Sequence, residues 1–181
     1  MPHSRWANKK VIAKWIDKLQ LPRERILDLG AGMGTYHILL TDKYTTALKD
    51  SHWIAVEVWE PYIEEFKLHE MYDEVYVEDI RIFDYSKIAP VDLTFMGDVL
   101  EHMTKEEAQE VVAKVLEVSR YAAISIPVVH WKQDAIYGNP YEKHIKEDWS
   151  HTEVMNSFPH IIEGVNDNGG VGVYLLEGGV A

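Results

Sequence analysis

The sequence predicts an α/β fold, a seven-stranded and mostly parallel sheet covered by helices on both faces and closed by a C-terminal antiparallel hairpin. Three observations carry that prediction. Short β-type runs alternate with helical stretches through most of the chain, as strand–helix–strand units do. One strand-like run, Ile26-Leu27-Asp28-Leu29, leads directly into Gly30-Ala31-Gly32-Met33-Gly34, where a strand must turn sharply into a helix. The last two β-type runs flank Asn166-Asp167-Asn168-Gly169-Gly170, a turn composition that joins hairpin strands.

The elements follow in order. Ser4 is placed to cap a first helix whose apolar stripe is Val11, Ile12, Trp15, Ile16 and Leu19, and Leu21-Pro22 ends it. Arg25–Leu29 is the first strand. The glycine loop passes into a helix carrying Tyr36, Leu39, Leu40 and Tyr44. His52–Glu57 is the second strand, and Pro61 fits the first turn of the next helix. Glu74–Val77 is a short third strand. Val91–Met96 is nearly all apolar, as a strand covered on both faces must be. Thr104 and Glu107 form a capping-box pattern ahead of Ala108, Val111, Val112, Val115 and Leu116 at helical spacing. Tyr121–Ile126 is the fifth strand. Ser150 and Glu153 start another helix, and His160–Val165 with Val171–Glu177 make the hairpin.

The chain has 181 residues, a length that suits one domain with a full core. Residues 1–22 would add a helix before the first strand, and the irregular stretch 127–149 is a candidate substrate loop. Its Trp131, Tyr137, Tyr141 and Trp149 argue for order rather than disorder. No apolar run reaches the length of a membrane span, and the N-terminal residues lack the apolar core of a secretory signal. The absence of cysteine excludes disulfides and thiolate chemistry and is compatible with the expected cytoplasmic location. A formal net charge of −12 with no Lys/Arg run makes nucleic acid a poor partner.

An open parallel sheet takes its ligand beyond the carboxyl ends of its strands. Asp28 and the glycines stand at the end of the first strand, Glu57 at the second, Asp79 after the third and Asp98 after the fourth. The spacing D-x-G-x-G-x-G differs from the dinucleotide fingerprint G-x-G-x-x-G, because the third glycine comes early and Thr35 stands where that pattern wants glycine. The motif resembles the first motif of class I S-adenosylmethionine (SAM) methyltransferases, and the strand count matches their Rossmann-like sheet, so the resemblance covers nearly the whole chain. It implies that Asp28, Gly30, Ala31, Gly32 and Gly34 wrap the methionine part of SAM. It further implies that Glu57, followed by Val58, holds the ribose, that Asp79 and Ile80 frame the adenine, and that Asp98 lines the pocket. A cationic sulfonium without phosphate suits such an acid-rich edge.

Methyl transfer from a sulfonium is an in-line displacement that mainly requires alignment, with a base needed only where the acceptor must lose a proton. Asp98, Glu101, His102, His130 and His144 are the candidates near the ends of the fourth and fifth strands, and His144, His102 and Asp98 are assigned the catalytic work. His37, His52, His69 and His160 fall in predicted helices or strands as packing or surface residues. The run Asp98-Val-Leu-Glu101-His102 is similar to an E-x-x-E-H form that binds a divalent metal in ubiquinone-biosynthesis and small-RNA 2′-O-methyltransferases, with Asp98 in place of the first glutamate. The preferred assignment has no metal: Asp98 lines the pocket, while Glu101 and His102 begin the next helix and fix the loop. The expected acceptor is a small molecule with a reactive oxygen or nitrogen. The alternatives are RNA methylation assisted by metal through Asp98, Glu101 and His102, a non-catalytic SAM binder, and an NAD-dependent enzyme disfavoured by Thr35 and Asp28.

Overall fold

The structure, a computed structural model, describes residues 6, 8–166 and 170–180. Ser4 and the tip of the hairpin turn at 167–169 lie outside the described residues. The elements are α1 (Lys10–Leu19), β1 (Arg25–Leu29), α2 (Thr35–Ile38), β2 (His52–Val56), α3 (Glu60–Glu65), α4 (Leu68–Met71), β3 (Glu74–Tyr76), β4 (Val91–Gly97), α5 (Lys105–Val118), β5 (Ser119–Pro127), α6 (His151–Ser157), β6 (Ile161–Asn166) and β7 (Val171–Glu177). The sheet runs β3-β2-β1-β4-β5-β7-β6. Strands β1 to β5 are parallel, and β7 enters antiparallel to both β5 and β6. Chain order reverses between β1 and β4, which opens a crevice above their carboxyl ends.

Alternation along the strands divides the core into two layers. Ile26, Trp53, Ala55, Leu93, Phe95, Val173 and Leu175 pack against Ile12, Trp15 and Ile16 of α1, Tyr36 of α2, Ile63 of α3 and Leu68 of α4. Leu27, Ile54, Val56, Met96, Ile124 and Leu176 point to the other face, against Val111, Val112 and Val115 of α5 and Val154 of α6. The capping box forms as its sequence predicts: Thr104 Oγ1 accepts the Glu107 N–H and the Glu107 carboxylate accepts the Thr104 N–H.

Several elements differ from expectation. Leu19 is exposed and Leu21 is buried instead. Gln20 adopts a left-handed conformation (φ 48°) and turns the chain back, so the Leu21 N–H reaches the Ile16 carbonyl at 3.1 Å. The helix after the glycine loop is not regular, because α2 widens into a π-helical turn over Leu39–Lys43 that buries Leu39 and Leu40 and leaves Tyr44 partly exposed. Helix α4 and the lengthening of β5 to Ser119–Pro127 were not signalled by the pattern. Trp149 leaves the candidate substrate loop for the core, 6.0 Å from the ring of Phe158. Among the described residues no helix is long and apolar enough to cross a membrane.

Phe95 is the centre of one layer, stacked on Tyr36 at 4.7 Å and on Trp53 at 5.8 Å, with no solvent exposure. Phe95→Ala leaves a cavity in a close-packed layer, so denaturant unfolding is expected to show a loss of about 3–5 kcal/mol.

Candidate functional site

The crevice is built from the strand ends upward. Sheet register sets Leu29 of β1 beside Val56 of β2 and Met96 of β4, so the residues that follow each strand share one edge. There Gly30 N–H donates to the Val56 carbonyl at 2.8 Å and Glu57 N–H donates to the Tyr76 carbonyl at 3.0 Å. Gly30 has φ 67° and a Cβ there would meet Val99 Cγ2 at 2.6 Å, so only glycine passes under the β4 turn. Gly32 has φ 53° and open space above it, leaving bare backbone exposed to a ligand. The pocket over this edge is lined by Asp28, Gly30, Ala31, Gly32, Glu57, Val58, Asp79, Ile80, Asp98, Glu101, His102 and His144, which gathers all but two of the candidates from the sequence. One exception is Gly34. Its Cβ position faces Met71 Cε at 2.8 Å, so its absence of a side chain serves the packing of α2 on α4 and not the pocket. His130 is exposed and does not line the pocket.

Buried carboxylates converge here. Asp28 is shut from solvent and accepts the Tyr72 hydroxyl at 2.6 Å. Burial, reinforced by the charge of Glu57, lifts its carboxyl from its ordinary 3.8 to about 7 even against the Tyr72 bond. Glu57 is also buried and raised by desolvation, although its oxygens already accept the N–H groups of Gly32 and Trp59, each at 2.9 Å. It thereby ties the glycine loop to the β2–α3 turn and keeps spare lone pairs for a ligand. Asp79 is held differently. Burial would raise it, but Arg81 outweighs that with its Nε at 3.0 and 3.1 Å and its main-chain N–H at 2.9 Å, and the carboxyl lies below its ordinary value. A ligand amino group at Asp79 therefore competes with a guanidinium, which the sequence pattern did not reveal. Asp98 is engaged as well: Oδ2 takes the Lys9 ammonium at 2.7 Å and Oδ1 takes the Ser125 hydroxyl at 2.8 Å.

The 127–149 stretch wraps over the opening. Tyr62 on α3 donates to Glu142 Oε1 at 3.0 Å, and the rings of Trp59 and Tyr141 lie 6.3 Å apart. The Glu101 carbonyl accepts the N–H groups of Ile145 and Lys146 at 2.9 and 3.1 Å. This brings His144 against His102, with ring centroids 5.0 Å apart. His144 Nδ1 lies 2.6 Å from the Trp131 carbonyl and His102 Nδ1 lies 3.1 Å from that of Lys143. A carbonyl only accepts, so His144 donates Nδ1–H and keeps its lone pair on Nε2, whereas the His102 ring is also hydrogen-bonded to the Asp98 main chain. Burial holds both imidazoles below their ordinary pKa and hence neutral. Glu101 is buried, its Oε2 has no hydrogen-bond partner among the described residues, and burial with the neighbouring Asp98 charge pushes its carboxyl well up. One ligand-type atom from each of Glu101, His102 and His144 lies within 4.8 Å of the others. This grouping differs from the expected run of Asp98, Glu101 and His102, because Lys9 neutralises Asp98 and the loop supplies His144.

Neutral histidines beside a carbonyl-anchored loop can take a proton from an acceptor, and several acids around open glycine backbone can hold a cation. No protein-family model matches the chain, and no curated protein matches it in sequence. Solved structures do match. A SAM-dependent methyltransferase from Clostridium acetobutylicum superposes with TM-score 0.68 at 14% identity, covering 95% of this chain and 90% of that one. The fold is that of SAM-dependent methyltransferases. Magnesium protoporphyrin IX methyltransferase from Synechocystis, solved with bound SAM, gives 0.63 at 13% identity over 94% of this chain and 77% of that one. A mitomycin 7-O-methyltransferase gives 0.62 at 11% identity over 87% and 49%.

Asp28 sets a direction for stability. It keeps its proton to about pH 7 in the folded chain but only to about pH 4 when unfolded, so the folded state binds more protons in between. Its contribution therefore makes the protein less stable as pH rises through that window and is constant above it. Asp28→Asn is expected to flatten the fall in melting temperature between pH 5 and pH 7.5, and an unchanged slope would remove Asp28 as its source.

Proposed function

We propose that the chain is a SAM-dependent methyltransferase that methylates an oxygen or nitrogen of a small-molecule acceptor. The supporting observation is the convergence of Asp28, Glu57, Asp98 and Glu101 on one crevice around the open Gly32 backbone. Carboxylates in so little water call for a cationic occupant, and a sulfonium with an α-ammonium group is one. The likeness in fold to methyltransferases, one of them solved with SAM, agrees with this. A cysteine-free chain fits a cytoplasmic enzyme of one domain.

When bound, SAM supplies an electrophilic methyl group on a leaving group that departs as a neutral thioether. The chain's part is to hold and align. Gly30, Ala31 and Gly32 would give the methionine portion a backbone cradle, with Asp28 beneath it. Glu57 would accept ribose hydroxyls with the lone pairs that Gly32 and Trp59 leave free. Ile80 and Val58 would hold the adenine, with Asp79 oriented by Arg81. His144, neutral and anchored through Nδ1, takes the acceptor's proton on Nε2, while Trp131 and Tyr141 wall the acceptor side. Among the described residues, Lys9 and Arg81 at the crevice are both ion-paired, which supports an uncharged acceptor over a phosphate-bearing RNA.

A second reading, metal-assisted transfer, is favoured by the partnerless Glu101 Oε2 beside the two imidazoles. One carboxylate and two imidazoles from Glu101, His102 and His144 fit a divalent cation such as zinc or manganese, with the Lys143 and Trp131 carbonyls already fixing the two rings. Such an ion would lower the pKa of an acceptor hydroxyl.

Two measurements test these assignments. Glu57→Ala is expected to weaken binding of S-adenosylhomocysteine by about 1–3 kcal/mol in calorimetry, and unchanged affinity in the folded variant removes Glu57 from the site. Titration of the wild type with manganese or zinc separates the two readings. Binding lost in His144→Ala supports the metal, whereas no binding together with a turnover drop of about 10²- to 10⁴-fold in that variant supports the general base.

A further inference from the structure

Lysine is among the residues least often buried, because an ammonium withdrawn from water costs several kcal/mol unless it is paired. Lys9 nevertheless has no solvent exposure, while Lys10, Lys14 and Lys18 on the same stretch face solvent. The helix does not need it, since Ile12, Trp15 and Ile16 already bury α1. Its Nζ lies 2.7 Å from Asp98 Oδ2 and 5.6 Å from the centroid of the Tyr36 ring, and both of those residues line the crevice.

Asp98 is the residue that needs holding. It sits in the left-handed region with φ 53°, a conformation that costs a non-glycine residue of order 1 kcal/mol or more unless its surroundings fix it. Ser125 fixes one side, with its carbonyl accepting the Asp98 N–H at 2.8 Å and its hydroxyl donating to Oδ1 at 2.8 Å. Lys9 fixes the other. The preceding residue, Asn8, is buried and donates its Nδ2 to the Val171 carbonyl at 2.8 Å, and Val171 is again a crevice residue. Residues 8 and 9 thus tie the β4 turn to the start of β7 across the floor of the site. The ammonium also lowers the carboxyl pKa of Asp28 and Glu101, which places it among the acids of the pocket.

We propose that Lys9 is a positioning residue of the cofactor site: through its ion pair with Asp98 it holds the Gly97–Val99 turn in the shape that receives the amino-acid end of SAM. This rests on the cofactor assignment made above. The role is one of shape and counter-charge, since Lys9 lies beneath Asp98 and does not itself line the crevice. The carboxylate then presents a fixed edge to the incoming ligand, and its charge is balanced before any ligand arrives.

The test is a double-mutant cycle read by calorimetry with S-adenosylhomocysteine on wild type, Lys9→Met, Asp98→Asn and the double variant, with a melting curve for each. Lys9→Met is expected to weaken binding at least tenfold, and the same change in the Asp98→Asn background is expected to add less than twofold. A melting temperature that falls while the affinity of the folded protein stays put makes Lys9 purely structural and overturns the proposal. Equal losses in both backgrounds overturn the route through Asp98. Should Lys9→Met not fold, Ser125→Ala removes the other grip without a change of charge and is expected to weaken binding in the same direction. No effect there also overturns the proposal. Wild type that fails to bind at millimolar concentration sinks the cofactor assignment and this inference with it, whereas binding that Lys9→Met leaves intact sinks this inference alone.

Discussion

The structure depends on how much negative charge the strand ends can hold out of water. Asp28, Glu57, Asp98 and Glu101 stand where parallel strands deliver them, on one edge and within one crevice. Each is answered differently. Asp28 keeps a proton near neutrality, Glu57 accepts two main-chain N–H groups, Asp98 takes a lysine, and Glu101 has one oxygen without a hydrogen-bond partner among the described residues. A buried carboxylate costs least where such a partner stands beside it, and burial still holds Asp28, Glu57 and Glu101 above their ordinary pKa.

Packing serves that arrangement. The order β3-β2-β1-β4-β5-β7-β6 puts the reversal of the chain between β1 and β4, directly below the glycine loop and the Asp98 turn. Tyr36 closes the space under that turn. It stacks on Phe95 and its ring fills the volume that any side chain at Gly97 would need. Tyr36 therefore belongs both to the core layer and to the lining of the crevice.

The sequence made the strand ends legible because their chemistry is set by neighbours in the chain. An apolar run followed by alternating glycines must turn, and an acid just after an apolar run must sit at a sheet edge, so Asp28, Gly30, Gly32, Glu57 and Asp98 were all placed. What escaped depends on contacts distant in sequence. Lys9 carries no local signal, because its partner Asp98 is 89 residues away. Gly34 carried the motif's spacing, but Met71 from α4 decides which way it faces. Arg81 is only two residues from Asp79, but spacing alone does not show that its guanidinium turns back onto that carboxylate. His144 was singled out, yet its meeting with Glu101 and His102 required two main-chain bonds that no composition reveals.

The loop over the opening is moored unequally. At Ile145 and Lys146 it is pinned by two amides to one carbonyl, and at Tyr141 and Glu142 it rests on a single phenol hydroxyl and a ring contact. Among the described residues the histidine side of this loop is thus fixed by main-chain bonds, whose geometry does not depend on which side chains stand there, while the side facing Trp59 is held by side chains alone and changes with their identity.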